Sequence, residues 1–394
     1  MKILFVSNLF PPAHIGGYEL ACRDTVDMLI AAGHECHVLT SDFGIQPSIK
    51  VSDKAASYPI ERVMQLHHNW GSPHIVSPFD TVQQHNLERL GEAITRIRPQ
   101  VVYLWNLYGL GWKLLQVLDC VDAPPATFHF MDWSVMAYQR TVKRTLTSFR
   151  RLVPSMWSNV RPKVRNAVFI SRFTRQQLNL SPTCSSVIYP YLRADDIPEK
   201  RDYRLGEKIK TVFIGQIEPH KGIFFLCEAL RAYRLSSGRD VRLDVFGLSR
   251  TGKDISLREQ FGDFVSVMTN VERSSLLRGL SEYDVGFFPS IWEEPFGIAQ
   301  IEMMLAGLPV ISTGRGGAGE VSNGHNLLLY QYDSQQNLNH VLHELLTHYE
   351  EMAPALGVQA RQTVMQHHSL VHHQAALESH LRQVLSTDCT GSIA

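Results

Sequence analysis

The distribution of apolar and polar positions along the chain predicts alternating buried strands and amphipathic helices. Lys2–Asn8 is a continuous apolar run of the kind found in buried parallel strands. Glu19–Ala32 then carries apolar residues at helical spacing, and Gly33 is suited to ending that helix. Further along, Val101–Leu104 and Ala126–Phe130 resemble the first strand in pattern. Alternation of this kind is typical of a parallel sheet covered by helices on both faces.

The alternation occurs twice, because a second series begins at residue 211 after a polar, charged segment. We therefore predict an α/β chain with two Rossmann-like domains that face a cleft. The first domain is predicted over 1–192, the linker over 193–210 and the second domain over 211–374, and a helix over 375–394 is expected to pack back on the first domain. Ligands of such sheets bind at the carboxyl ends of the strands.

Length and composition support a two-domain globular protein. The chain has 394 residues, more than one core usually supports, with 44% hydrophobic and 19% charged residues and a formal net charge of zero. This balance gives the whole molecule no bias toward nucleic acid. The six cysteines include no C-x-x-C pair, which favours a reducing cytoplasm without disulfides. No apolar stretch reaches the ~20 residues needed to span a bilayer, so membrane contact is expected to be peripheral, on the inner face of the cytoplasmic membrane.

The most specific motif joins two glutamates across the start of a helix. Glu294 lies in a loop after a predicted strand, and the helix is predicted to open near Gly297, where free N–H groups and the missing side chain suit a phosphate. Glu302 lies one to two turns further on and could accept hydrogen bonds from a ribose diol. The alternative is a helix with two solvated carboxylates.

At this motif the chain resembles the retaining GT-B glycosyltransferases of family GT4, which include glycogen synthase-like and bacterial cell-surface glycan enzymes. Glu294 and Glu302 match the family's E-x7-E pattern, and the resemblance covers nearly the whole chain. It implies that Glu294 contacts the donor sugar, that Glu302 contacts the ribose, and that the amides of Phe296, Gly297 and Ile298 contact the donor phosphates. It also implies a nucleotide-diphosphate sugar as donor, and a glycan or lipid-linked acceptor in polysaccharide or glycolipid synthesis.

A second motif follows the first strand of the second series. That strand is predicted to end at Gly215, and Lys221 precedes the next helix, where a lysine can neutralise a leaving diphosphate. An ordinary surface lysine is the alternative. The family usually has arginine where this chain has Gln216, which can donate a hydrogen bond but carries no charge.

Two candidates lie in the first series of elements. Gly16 and Gly17 follow the first strand and resemble the family's glycine loop at the donor phosphates or the acceptor, although a plain tight turn is the alternative. The absence of G-x-G-x-x-G at this turn argues against a dinucleotide-dependent dehydrogenase. His129 ends a predicted strand and matches the family's histidine at the reaction centre, whereas a lone histidine at such a position is more often structural.

A basic stretch lies between these motifs. From Trp133 to Ala194 the chain has eleven Lys or Arg and no Asp or Glu. One helical face there is apolar, and the opposite face could meet an anionic membrane or an anionic acceptor, or simply be solvated. The basic residues of that face are Arg140, Lys143, Arg144 and Arg151.

No metal or cofactor is expected beyond the nucleotide sugar as co-substrate. His368 and His372 have a spacing that can chelate a metal, but no carboxylate or cysteine completes a set, so a solvated helix face is the favoured interpretation. Two other functions fit the same motifs. One is a nucleotide-sugar-binding protein with little catalysis, for which Gln216 is the argument, and the other is a GT-B sugar-nucleotide epimerase.

Overall fold

The structure, a computed structural model, describes most of the chain. The described residues are 1–14, 17–43, 57–67, 81–111, 114, 117–118, 122–132, 164–249 and 251–390.

The first half of the described chain forms a sheet of seven parallel strands in the order β3-β2-β1-β4-β5-β6-β7. The central strand, β1, pairs with β2 on one side and with β4 on the other. The apolar runs predicted as strands correspond to strands of this sheet. The side chains of β1 and β4 are buried on both faces. The strands are β1 Lys2–Ser7, β2 Glu35–Ser41, β3 Ile60–Met64, β4 Val101–Asn106, β5 Ala126–Phe130, β6 Asn166–Phe169 and β7 Cys184–Val187. The helices described here are α1 Gly17–Ala31, α2 Thr81–Ile97 and α3 Arg172–Leu178.

The second half forms a sheet of six parallel strands in the order β10-β9-β8-β11-β12-β13. Its strands are β8 Lys208–Ile214, β9 Asp240–Phe246, β10 Val265–Met268, β11 Val285–Phe288, β12 Val310–Ser312 and β13 Leu328–Leu329. Its helices are α4 Ile223–Ser237, α5 Lys253–Phe261, α6 Arg273–Gly279, α7 Ile298–Leu305, α8 Gln335–Thr347 and α9 Tyr349–His367. A last helix, α10, covers Leu370–Thr390.

The chain divides into two compact units, each with its own sheet and core. Unit 1 comprises 1–170, 174–188 and 374–394, and unit 2 comprises 171–173 and 189–373. The residues from 374 onward thus belong with the first sheet. In unit 1, buried side chains of β1, β4 and β5 form one core cluster, and in unit 2 the buried faces of β8, β9 and α4 form another.

One histidine of α10, His380, shows how the last helix is held in unit 1. His380 is buried, its Nε2 lies 2.8 Å from the hydroxyl of Thr127, and its Nδ1 lies 3.0 Å from the hydroxyl of Ser186. Burial lowers the pKa of His380 to about 4. The helix therefore joins strands β5 and β7 through a neutral imidazole whose two nitrogens are both engaged.

Two predictions of local structure differ from the structure. The helix α5 was not expected, because only Leu257 and Phe261 of its nine residues are buried and the segment lacks a clear apolar stripe. Strand β8 begins at Lys208, inside the predicted linker, since alternate residues there already face the core.

Among the described residues, no helix combines the length and the apolar character that crossing a bilayer requires.

Candidate functional site

In unit 2, the turns that follow β8 and β11 are bonded to each other. The carbonyl oxygen of His220 accepts the N–H of Ile291 at 3.2 Å and that of Trp292 at 3.1 Å. Gly222 has φ +74°, and a Cβ at this position would lie 1.9 Å from the carbonyl oxygen of Pro289. Glycine is therefore required where the two turns meet, and this close approach brings Lys221 toward the loop that carries Glu294.

Lys221 and Glu294 form a direct ion pair. The Nζ of Lys221 lies 2.7 Å from Oε1 and 2.9 Å from Oε2 of Glu294, and the hydroxyl of Ser290 donates to Oε1 at 2.6 Å. The Glu294 side chain is 8% exposed and that of Lys221 is 23% exposed. The structure thus joins two residues 73 positions apart that the sequence analysis selected separately. Burial and the neighbouring Lys221 lower the pKa of His220, so no second positive charge is favoured beside the pair.

The helix α7 begins at the position that the motif predicts. Gly297, which precedes it, has φ +106°, and a Cβ there would lie 3.0 Å from the Phe288 ring. The ring of Phe296 is buried against Tyr189 and His368, with centroids 5.6 and 5.3 Å away. The Phe296 ring is therefore occupied by these contacts, and the role of the amides of 296–298 at the donor phosphates stays a prediction. By the general geometry of helices, the first N–H groups of α7 have no partner within the helix.

Glu302, in the second turn of α7, is buried, and its carboxylate accepts a hydrogen bond from the guanidinium of Arg273. Burial raises the pKa of Glu302, and Arg273 opposes that shift. The arginine comes from the first turn of α6, which follows β10. Arg273 was not among the predicted site residues, because nothing in the sequence links it to Glu302, which lies 29 residues later.

A glycine-rich loop after β12 lies against the backbone of Glu294. This loop, too, was not among the predicted site residues. Gly317 donates its N–H to the carbonyl of Glu294 at 2.7 Å, and a Cβ on Gly316 would lie 2.5 Å from that same oxygen. The side chain of Gln300 stabilises this loop. Its Nε2 donates to the carbonyl oxygen of Ala318 at 2.9 Å, and its Oε1 accepts the hydroxyl of Ser312 at 2.5 Å. A glycine cluster directly after a predicted strand was the feature that could have revealed it.

Glu320 ends this loop and anchors two other segments of unit 2. Its carboxylate accepts the N–H groups of Arg172 at 3.0 Å and Phe173 at 2.6 Å, which open helix α3. It also accepts the hydroxyl of Tyr189 at 2.8 Å. Burial and Glu320 raise the pKa of Tyr189 to about 12. Residues 171–173 and 189 belong to unit 2, so Glu320 joins both segments to the loop beside Glu294 within that unit.

The remaining donor-site candidates of unit 2 lie in the turn after β8. The N–H of Gly215 donates to the carbonyl of Phe246 at 3.0 Å, and a Cβ on Gly247 would lie 1.8 Å from the carbonyl oxygen of Gly215. These turns therefore depend on close backbone contact. Gln216 is exposed in this turn, and its carbonyl accepts the N–H of Glu218 at 2.9 Å.

In unit 1, His129 lies at the carboxyl end of β5 among aromatic side chains. It is 6% exposed, its Nδ1 lies 2.8 Å from the hydroxyl of Tyr103, and its ring centroid lies 4.2 Å from that of Trp105. The indole N–H of Trp105 donates to the carbonyl of Tyr18 at 3.0 Å. His129 thus contacts two neighbours on β4, one of which is bonded to α1.

The structure says less about the other predicted site residues of unit 1. Gly17 begins α1, and a Cβ there would meet nothing within 4 Å, so packing does not require glycine at this position. Gly16 lies outside the described residues. The basic residues Arg140, Lys143, Arg144 and Arg151 also lie outside them.

The histidines near residue 370 correct the expectation of a solvated helix face. The helix is interrupted at His368, so His368 and His372 are not on one continuous helix. His368 and His373 are buried, and their Nδ1 atoms lie 3.1 Å from the carbonyl of Pro190 and 2.7 Å from that of Tyr189. Burial lowers the pKa of His368 to about 4. Across the described part of the chain, no group of three potential ligands is arranged to hold a metal ion.

The two parallel sheets define the class of protein: the chain has the GT-B fold, with two Rossmann-like units, as the sequence predicts. Residues 196–363 match the family described as glycosyl transferases group 1. Lys221, Arg273, Glu294 and Glu302 all lie within this match.

Comparison with individual proteins agrees with this class. An uncharacterized glycosyltransferase of Methanocaldococcus jannaschii is 29% identical over 201 residues, which cover 48% of this chain and 52% of that protein. The match thus spans about half the length of this curated relative.

Two solved structures are similar over almost their whole length. One is the sucrose-phosphate synthase from Thermosynechococcus elongatus, with a TM-score of 0.72, 18% identity, and coverage of 98% of this chain and 99% of that chain. The other is the Anabaena protein HepE in complex with UDP-glucose, with a TM-score of 0.70, 16% identity, and coverage of 98% and 100%. At these identities the likeness shows the fold.

Proposed function

We propose that the protein is a retaining glycosyltransferase that moves a sugar from a nucleotide-diphosphate sugar to a glycan or lipid-linked acceptor. The observation that carries the proposal is the Lys221–Glu294 pair beside the glycine that opens α7. A cation, a carboxylate and a helix start are brought together at the carboxyl end of a parallel sheet, which is where such sheets bind ligands. The UDP-glucose in the HepE complex supports a nucleotide sugar as the donor.

In this proposal Lys221 stabilises the leaving diphosphate. Its ammonium has three N–H donors, and the ion pair with Glu294 already fixes its position. The amides that open α7 add a second source of positive potential, since the partial charge of a helix start favours anions. Both act on negative charge that grows as the bond to the diphosphate breaks, and such preorganised groups lower the barrier most effectively.

The two glutamates accept hydroxyl groups of the donor. Glu294, held by Lys221 and Ser290, contacts hydroxyls of the transferred sugar, while Glu302 contacts the ribose. Carboxylates suit this task because they accept several hydrogen bonds and discriminate strongly against compounds that lack the hydroxyl.

The transfer itself retains the anomeric configuration. The acceptor oxygen forms a bond to the anomeric carbon on the same face from which the diphosphate leaves. The electron pair of the broken bond goes to the diphosphate, whose oxygen takes the proton of the acceptor hydroxyl. His129, fixed by Tyr103 and Trp105 in unit 1, is proposed to contact the donor sugar at the reaction centre.

The acceptor and the place of action rest on the sequence alone. The acid-free stretch with its eleven basic residues favours an anionic acceptor or an anionic membrane surface on the cytoplasmic side. We propose no metal or other cofactor, because Lys221 and the start of α7 supply the positive charge.

Screening of UDP-, GDP- and ADP-sugars by thermal shift identifies the donor, and transfer is then followed by NMR of the product anomer. We expect one donor to stabilise the protein, and transfer that retains configuration and persists in EDTA. Binding without transfer would identify a binding protein, and isomerisation of the donor without acceptor would identify an epimerase. An inverted product would contradict the retaining mechanism, and loss of turnover in EDTA would contradict metal independence.

A further inference from the structure

The ion pair between Arg273 and Glu302 is unequal in exposure. The Glu302 side chain is 1% exposed, whereas that of Arg273 is 55% exposed. A buried carboxylate loses its hydration and is favoured in the neutral form unless a cation or hydrogen-bond donors compensate. The charge that compensates Glu302 therefore comes from a side chain that itself remains in contact with solvent.

Three charged residues on the elements around α7, namely Arg361, Asp284 and Glu294, are engaged elsewhere. Arg361 of α9 donates to the carbonyl of Leu305 and lies 3.9 Å from Glu199. Asp284, which precedes β11, pairs with Lys200 at 3.7 Å.

In the loop before α7, Glu294 is paired with Lys221. Strand β12, Val310–Ser312, carries no titratable side chain. Among the described residues, Arg273 is thus the cation bonded to the Glu302 carboxylate.

We propose that Arg273 is a positioning residue for the nucleotide: it holds the Glu302 carboxylate in the charged, hydroxyl-accepting form that binds the ribose. This inference rests on the proposed function, because it takes Glu302 as the ribose acceptor. An ionised carboxylate accepts hydrogen bonds at both oxygens, whereas a protonated one uses an oxygen as a donor. Without Arg273 the buried group binds a proton more readily, and the ribose loses its acceptor.

The proposal predicts a particular change in pH dependence. Removing Arg273 further raises the pKa of Glu302, which burial already raises. Nucleotide affinity should then fall as the pH decreases through that raised pKa, by about tenfold for each pH unit below it. A purely structural role for Arg273 would instead weaken binding equally at all pH values.

Calorimetry of UDP, GDP and ADP with the full chain, at pH values from about 5.5 to 8.5, tests the proposal. Arg273→Gln should weaken binding progressively toward the acid end, by up to about tenfold per pH unit, and recover toward the wild-type affinity at the alkaline end. Arg273→Lys, which keeps the charge, should retain the wild-type profile. Arg278→Gln, a change on the same helix at an exposed arginine bonded to Ser274 and Ser275, should have no effect.

Two further variants connect the effect to Glu302. Glu302→Gln should weaken binding without pH dependence, and adding Arg273→Gln to it should cause little further loss. The inference is overturned if Arg273→Gln shows an unchanged affinity, or a loss that is constant with pH in a folded protein. If the wild type binds none of the three nucleotides, the proposed function fails first, and the role of Arg273 fails with it.

Discussion

The carboxyl ends of the two sheets are alike in topology but differ in chemistry. In unit 2, the turns after β8, β10 and β11 lead to two ion pairs, Lys221 with Glu294 and Arg273 with Glu302, and glycines make close backbone contacts beside Glu294. In unit 1, the end of β5 carries His129, whose ring centroid lies 6.0 Å from that of Tyr103 and 4.2 Å from that of Trp105.

Under the proposed function, this difference predicts that the two units contribute differently to binding and to transfer. Charged side chains and open backbone suit a ligand that carries phosphates and a diol, and such groups contribute most to binding and to charge stabilisation. An aromatic, nearly dry setting suits the apolar face of a sugar ring and contributes more to orientation. Substitutions in unit 2 should therefore have larger effects than those in unit 1.

Lys221→Ala should have the largest effect. Turnover should fall by on the order of 10²-fold or more, because one strong contact to the leaving group is lost and Glu294 is left without its counter-ion. Transfer assays with the donor that the thermal-shift screen selects measure the turnover. Lys208→Ala, at an exposed lysine of β8, is the matched control and should leave turnover unchanged. Near-normal turnover in Lys221→Ala would mean that another group stabilises the diphosphate.

Glu302→Ala should weaken nucleotide binding by ~1.5–3 kcal/mol, the scale of hydrogen bonds to a charged group. Calorimetry with the nucleoside diphosphate measures the loss, and circular dichroism checks the fold. Glu259→Ala, at an exposed glutamate of α5, serves as the control. An unchanged affinity in a folded Glu302→Ala protein would remove Glu302 from the ribose site.

His129→Phe should lower turnover by about threefold to tenfold, the worth of one net hydrogen bond, while nucleotide affinity stays the same. Tyr103→Phe, which removes the hydroxyl bonded to Nδ1, should have a smaller effect of the same kind. Kinetics measures the turnover and calorimetry measures the nucleotide affinity, so the two effects can be separated. If His129→Phe weakened nucleotide binding as strongly as Glu302→Ala, the proposed division between the units would be wrong.

The basic stretch should contribute ~1 kcal/mol for each side chain near an anionic surface. Sedimentation with anionic and neutral vesicles at low and high salt should show salt-sensitive binding to anionic vesicles only, because such contacts are screened. Binding should disappear when four residues are changed to Glu, namely Arg140, Lys143, Arg144 and Arg151. Reversal of four exposed basic residues of unit 2, namely Arg201, Lys208, Arg258 and Arg278, is the control. Equal absence of wild-type binding to both vesicle types would rule out membrane contact.

Much of the fold could be predicted from the sequence because its determinants are local. Continuous apolar runs such as Lys2–Asn8 and the strand–loop–helix pattern around Gly297 depend on neighbouring residues only, and the two-sheet fold that they predict is confirmed. The weakly patterned helix α5 was missed for the same reason, since its burial depends on the partners that it packs against.

The site was less accessible to sequence reasoning because it depends on contacts between distant positions. The E-x7-E spacing selects Glu294 and Glu302, but the partners Lys221 and Arg273 come from other turns that only the sheet order brings near. Likewise, the buried histidines 368 and 373 bond to carbonyls 178 and 184 positions earlier, which no local pattern indicates. The roles assigned to the site residues stay predictions.

The imidazole of His380 has a consequence for the order in which the chain folds during synthesis. It bonds to Thr127, 253 positions earlier, and to Ser186, 194 positions earlier, so unit 1 is completed by the part of α10 from residue 374 onward, which follows all of unit 2 in the sequence. On the ribosome, residues 189–373 emerge before that part of the helix exists. The second unit can therefore fold first, while the first waits with the apolar sites for Leu377, Leu381 and Val384 uncovered. Ribosome-bound chains that end before residue 374 should accordingly recruit chaperones through unit 1, the reverse of the usual order in which the earlier domain is finished first.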